Sequence, residues 1–198
     1  LLFSLTLGLY DFSKASYKVA LKNLQRAIDF YNNIFQEPTQ LINIYLRIGY
    51  CYLMLKEKLK AIEVFNHSLN IINQSNENAI NMIERNDIDF AALCQKAGSL
   101  CYNHQLLDLA VLYIHKALEL RHTNPDTKKS DLLNLYSFLG DVLKEKKSYT
   151  EAYQSYQKSL ELKFKFFSED KITASLFNKL ALVCTAESKF TEANEFYE

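Results

Sequence analysis

The stretch from Asp131 to Glu161, DLLNLYSFLGDVLKEKKSYTEAYQSYQKSLE, decides the fold. Its first part is apolar almost all round. Leu132, Leu133, Leu135, Tyr136, Phe138, Leu139, Val142 and Leu143 leave only Asn134, Ser137, Asp141 and Lys144 as a polar stripe, spaced three and four apart. That spacing is one line along a helix that is buried on its other sides. From Tyr149 the pattern changes to an ordinary amphipathic helix. Tyr149, Ala152, Tyr156, Ser159 and Leu160 face inward, and Glu151, Gln154, Gln157, Lys158 and Glu161 face out. Gly140 and Ala152, twelve apart on the two helices, predict a close approach of a helical hairpin at points where bulk is excluded.

The same spacing recurs as Gly8 with Ala20, Gly49 with Ala61, Gly98 with Ala110 and Ala181 with Ala193. Seven residues past the second member in the first four copies stands another small side chain: Ala27, Ser68, Ala117 and Ser159. Recurrence of one hairpin unit predicts an array in which each pair packs on the next. The expected repeats are about 1–41, 42–90, 91–132, 133–173 and 174–198, forming one all-α solenoid. The last copy stops in mid-helix and there is no initiator Met, so the chain reads as a fragment of a longer array. Gln36 to Gln40, Pro125 to Ser130 and Phe167 to Ile172 read as linkers, with Ser130, Asp131 and Asp170 as helix N-caps. The long step from Asn76 to Phe90, which has no Gly or Pro, is read as a continuation of the preceding helix.

Composition agrees with helix nearly throughout: 198 residues, four glycines, two prolines and no tryptophan, with 13 Tyr and 13 Phe carrying much of the packing. A formal net charge of zero offers no steering field for nucleic acid or an anionic membrane surface. The apolar opening, Leu1 to Tyr10, is too short to span a bilayer. Cys51, Cys94, Cys101 and Cys184 fall at interior positions without metal-ligand spacing, which favours reduced core thiols and an intracellular, cytoplasmic location.

The pattern of an aromatic residue, Leu-Gly and a further ring on the first helix, then Ala, an aromatic and a small residue on the second, resembles the tetratricopeptide repeat. The period is about 42 residues, longer than that family's usual 34, and is similar to the kinesin light chain and nephrocystin-type subclass. Ser159 through Lys163 and Phe177 through Cys184 carry that likeness best. The resemblance implies a right-handed superhelix whose first helices line a concave groove. The residues of that face are Asn43, Arg47 and Tyr50; Gln95, Lys96, Ser99 and Asn103; Asn134, Ser137, Asp141 and Lys144; and Ser175, Asn178 and Lys179. Arg47, Lys96 and Lys179 share one register. Three cations among amides would suit a carboxylate-bearing peptide; the alternative is a solvated stripe or contacts to a neighbouring repeat. Leu5 and Leu9 stand where the carboxylate clamp of chaperone-binding members needs polar groups.

No Ser/His/Asp triad, phosphate loop or HExxH stands in the chain. Cys94 and Cys101, with His104 one helical turn further on, read as core packing of the two cysteines rather than a metal set, and His115 and His122 as an outer helix face. Phe164, Phe166 and Phe167 either pack on the next repeat or form a docking patch. The expected function is therefore a non-enzymatic scaffold or adaptor without cofactor. Its partner would be a protein or peptide, within a cytoskeletal, transport or ciliary assembly. The alternatives are a regulatory domain of a larger enzyme or signalling protein, and a secreted bacterial effector.

Overall fold

A computed structural model of the chain describes residues 17–34, 38–79, 90–124, 127–166 and 170–197. All described regular structure is α-helix: α1 Tyr17–Ile34, α2 Pro38–Met54, α3 Lys58–Ala79, α4 Phe90–Asn103, α5 Leu107–Thr123, α6 Lys129–Glu145, α7 Tyr149–Phe166, α8 Asp170–Ala186 and α9 Phe190–Glu195. Helices α2 and α3, α4 and α5, α6 and α7, and α8 and α9 are the expected antiparallel pairs, and α1 is the second helix of the first. The chain divides into two compact units, one ending at Leu93 and the other starting at Cys94, within α4.

In the first unit, Ala20 and Leu24 of α1 form a core with Ile44, Ile48 and Cys51 of α2. In the second, α6 is sandwiched: Leu132, Leu133, Leu135, Leu139, Val142 and Leu143 are all buried. The small residues lie inside as their spacing demands, with Ala61, Ala110, Ala152, Ser68, Ala117 and Ser159 fully buried. The two buried serines satisfy their hydroxyls on backbone. Ser68 donates to the Phe65 carbonyl and Ser159 to the Leu133 carbonyl, both at 2.9 Å.

The glycines do something more specific than bring backbones together. A Cβ on Gly49 would stand 2.6 Å from Phe65 Cε1, and one on Gly140 would stand 2.6 Å from Tyr156 Cδ1. Each glycine is thus the floor under a ring sixteen positions later. At Gly98 the same place is taken by Ile114, whose Cγ1 lies 3.1 Å from the Cβ position.

The turns inside the pairs are copies of one another. Lys56, Gln105, Lys147 and Ser188, each seven residues after the small residue, adopt left-handed backbone with φ of 62°, 58°, 66° and 61°. The amide after each reaches back to a carbonyl five residues earlier: Glu57 to Tyr52, Leu106 to Cys101, Ser148 to Leu143 and Lys189 to Cys184, at 2.8–2.9 Å. This double closure satisfies the last carbonyls of the first helix.

Several expectations need correction. Helix α6 is preceded by Lys128, which makes no side-chain cap, and Ser130 and Asp131 lie within its first turn. Helix α8 starts at Asp170 itself. Of the three second-helix residues expected inside the fifth pair, only Ala193 is buried; Phe190 and Tyr197 are 62% and 57% exposed. Helix α9 runs Phe190–Glu195. Helix α3 does continue as far as Ala79, while residues 80–89, Gly8 and Phe167 lie outside the described residues.

Candidate functional site

The polar stripe of the first helices is where the sequence places it, with differing exposure. On α2, in the first unit, Asn43, Arg47 and Tyr50 are half-buried. Tyr50 meets Tyr17 edge-on, ring centroids 6.0 Å apart. The Arg47 charge draws the Cys51 thiol down, but burial outweighs it and pushes that thiol up to about 11.

In the second unit, Lys96 and Asn103 of α4 are exposed, and Gln95 and Ser99 are half-buried. The Ser99 hydroxyl turns back to the Gln95 carbonyl at 3.0 Å, which withdraws it from ligands. On α6, Asn134 is exposed and Ser137, Asp141 and Lys144 are half-buried; on α8, Ser175 and Asn178 are exposed and Lys179 is half-buried.

Three of these residues converge. Lys179 Nζ donates to Asp141 Oδ2 at 2.7 Å and to Ser137 Oγ at 2.9 Å. The fourth member, Tyr156 of α7, is absent from the sequence-derived set. Its hydroxyl donates to Asp141 Oδ1 at 2.8 Å, and its ring carries the Lys179 ammonium 5.5 Å from the centroid. Burial first, and the Asp141 carboxylate next, push the Tyr156 hydroxyl well above its ordinary range, so it stays a donor. The signal for Tyr156 was in the chain: a tyrosine fifteen residues after an acid, the ring already assigned inward. Only the depth at which it lies brings its oxygen to Asp141.

The remaining candidates for chemistry are occupied by packing. Cys94 and Cys101 are fully buried, and burial pushes the Cys101 thiol up to about 12. Among the described residues no group of three or more His, Cys, Asp or Glu could hold a metal ion. On the second-helix side, His122 shares a 2.8 Å hydrogen bond with the Tyr136 hydroxyl. His115 is exposed and borders an open cleft of about 310 Å³ with Tyr136, Glu151 and Lys158. Phe164 combines both expected roles: it is 64% exposed, yet its ring lies 6.3 Å from that of Phe177 on α8. Among the described residues no helix is long and apolar enough to cross a membrane.

These features define a class: an all-α protein of stacked antiparallel helix pairs, each with a small-residue seat and a polar stripe on its first helix. Residues 42–75 and 133–166 each match the family model "Tetratricopeptide repeat", so the chain carries tetratricopeptide repeats at those two stretches. Comparison with curated protein sequences finds no match. Among solved structures, a kinesin-light-chain-like protein of Podosopora anserina with nearly identical TPR-like repeats is similar. The TM-score is 0.64 at 11% identity, covering 98% of this chain and 90% of that one. MamA is similar with a TM-score of 0.59 at 15% identity over 98% and 86%. RapI in its apo form is similar with a TM-score of 0.65 at 16% identity, over 98% of this chain and 51% of that one. At such identities the likeness is one of fold.

Proposed function

We propose that the chain is a protein-interaction module that holds a segment of a partner protein on the first-helix face of its second unit. The observation that carries this reading is the exposure of Lys96, Asn103, Asn134 and Asn178 on three consecutive first helices, beside the half-buried Ser137, Asp141, Lys144 and Lys179. Amide side chains can both donate to and accept from a peptide backbone, and a row of them suits an extended segment. The second helices carry exposed charges such as Glu161 and Lys158 instead. The first unit offers Asn43, Arg47 and Tyr50, which are less accessible and contribute less. This is scaffold or adaptor work, with no enzymatic step. The likeness of its repeats to those of the kinesin-light-chain-like protein supports placing it in a cytoskeletal, transport or ciliary assembly of several proteins, inside the cell.

Affinity capture from the source cell tests the reading. Lys96→Glu, Asn103→Ala, Asn134→Ala and Asn178→Ala together should abolish recovery of the partner, while Gln157→Ala and Glu161→Ala on α7 should leave it intact. Loss of the partner from the α7 variants alone would overturn it.

A further inference from the structure

We infer that Asp141 sets the charge preference of this first-helix face where α6 meets α8, by holding Lys179 so that this stretch does not select acidic segments. The inference rests on the reading that the face binds a partner segment, and it names the class of segment: an uncharged or mixed-charge extended chain, gripped through its backbone.

Lys179 stands two positions before Ala181, as Arg47 and Lys96 stand before Gly49 and Gly98. A free ammonium there would draw a carboxylate. In the structure, two of its three donors are committed, to Asp141 Oδ2 and Ser137 Oγ, and its charge also lies against the Tyr156 ring. Asp141 is itself pinned, since its second oxygen accepts the hydroxyl of the fully buried Tyr156. The carboxylate therefore cannot turn away without leaving that hydroxyl unsatisfied, a larger loss than an exposed ion pair incurs. The side chains of Lys179 and Asp141 are 24% and 29% exposed, so a ligand can reach the pair. What it meets is a closed pair of zero net charge, flanked by the exposed amides of Asn134 and Asn178. Asp141 is a built-in substitute for the ligand carboxylate that the lysine register suggests.

The test is an NMR titration of the ¹⁵N-labelled chain with two capped peptides of equal length, hexaglutamate and hexa-asparagine. The wild type should bind the two with Kd values within about twofold of each other. Asp141→Asn keeps an oxygen for the Tyr156 hydroxyl and frees the Lys179 charge. It should bind hexaglutamate roughly fivefold more tightly than wild type, the scale of a partly exposed charge pair, with hexa-asparagine unchanged. Adding Lys179→Gln should cancel the gain. Should Asp141→Asn fail to fold, the wild type alone decides, by the ratio of its affinities for the two peptides. Shifts on α4, α6 and α8 with equal hexaglutamate affinity in wild type and Asp141→Asn would overturn the inference while leaving the binding face intact. A wild type that already selects hexaglutamate would do the same. Shifts confined to other helices in every variant would overturn both.

Discussion

At the residue scale, the glycines are seats for particular side chains, and the consequences differ between them. Gly140 faces the ring of Tyr156, which is fully buried and tied by its hydroxyl to Asp141. The ring cannot withdraw. Gly140→Ala should therefore destabilise the chain by about 1–3 kcal/mol through overpacking, despite a gain of about 1 kcal/mol in helix propensity. At Gly98 the nearest atom is Ile114 Cγ1 at 3.1 Å, further off than the rings that face Gly49 and Gly140. There the propensity gain should offset the crowding, leaving Gly98→Ala within about 1 kcal/mol of wild type. Urea unfolding of both variants checks this; equal losses at the two sites would contradict the seat. The spacing of twelve was legible because Gly and Ala are unmistakable. The partner sixteen residues on was legible as an inward position but not as the side chain seated on the glycine, because Ile114 stands there in one copy and a ring in the others.

At the scale of elements, the helix pairs and their inward faces were legible because the 3.6-residue period is strong and Gly and Pro are few. The turns were not. Their left-handed positions carry Lys56, Gln105, Lys147 and Ser188, none of them the glycine that normally marks such a turn. The burial of the flanking helices imposes the conformation against local preference. Lys147→Gly should relieve that strain and stabilise the chain by about 0.5–1 kcal/mol, whereas Lys147→Val should destabilise it. Thermal melts would show this as opposite shifts in Tm, and a lowered Tm for the glycine variant would contradict the shared turn. The pairs are further joined by bonds in one register: Lys146 with Asp108 at 2.7 Å, and Thr150 with Glu187 at 2.8 Å. Each links the turn of one pair to the start of the second helix of the pair before. Such contacts need two repeats at once, so no single copy reveals them. The cation register is visible in the sequence, but the engagement of Lys179 with Asp141 depends on how two first helices face each other.

For the whole molecule, stability should fall at alkaline pH. The thiols of Cys51 and Cys101 are pushed up by burial to about 11 and about 12, from an ordinary value of 9.0. Above pH 9 the unfolded chain loses these protons while the folded chain keeps them. The unfolded state then binds fewer protons, and each thiol takes away up to about 1.4 kcal/mol per pH unit until its folded value is reached. The raised hydroxyls of Tyr156 and Tyr136 act in the same sense. Urea midpoints should be flat from pH 7 to 8.5 and decline from pH 9 to 11; a flat profile through pH 11 would show these groups to be solvated. None of this bears on which face meets a partner, and that is the claim on which the function rests. Photo-crosslinking addresses it most directly, with benzoylphenylalanine placed at Asn134 on α6 or at Gln157 on α7, both exposed. The account predicts that the Asn134 probe joins the chain to its partner in the source cell and the Gln157 probe does not. Crosslinking from Gln157 but not from Asn134 would contradict it.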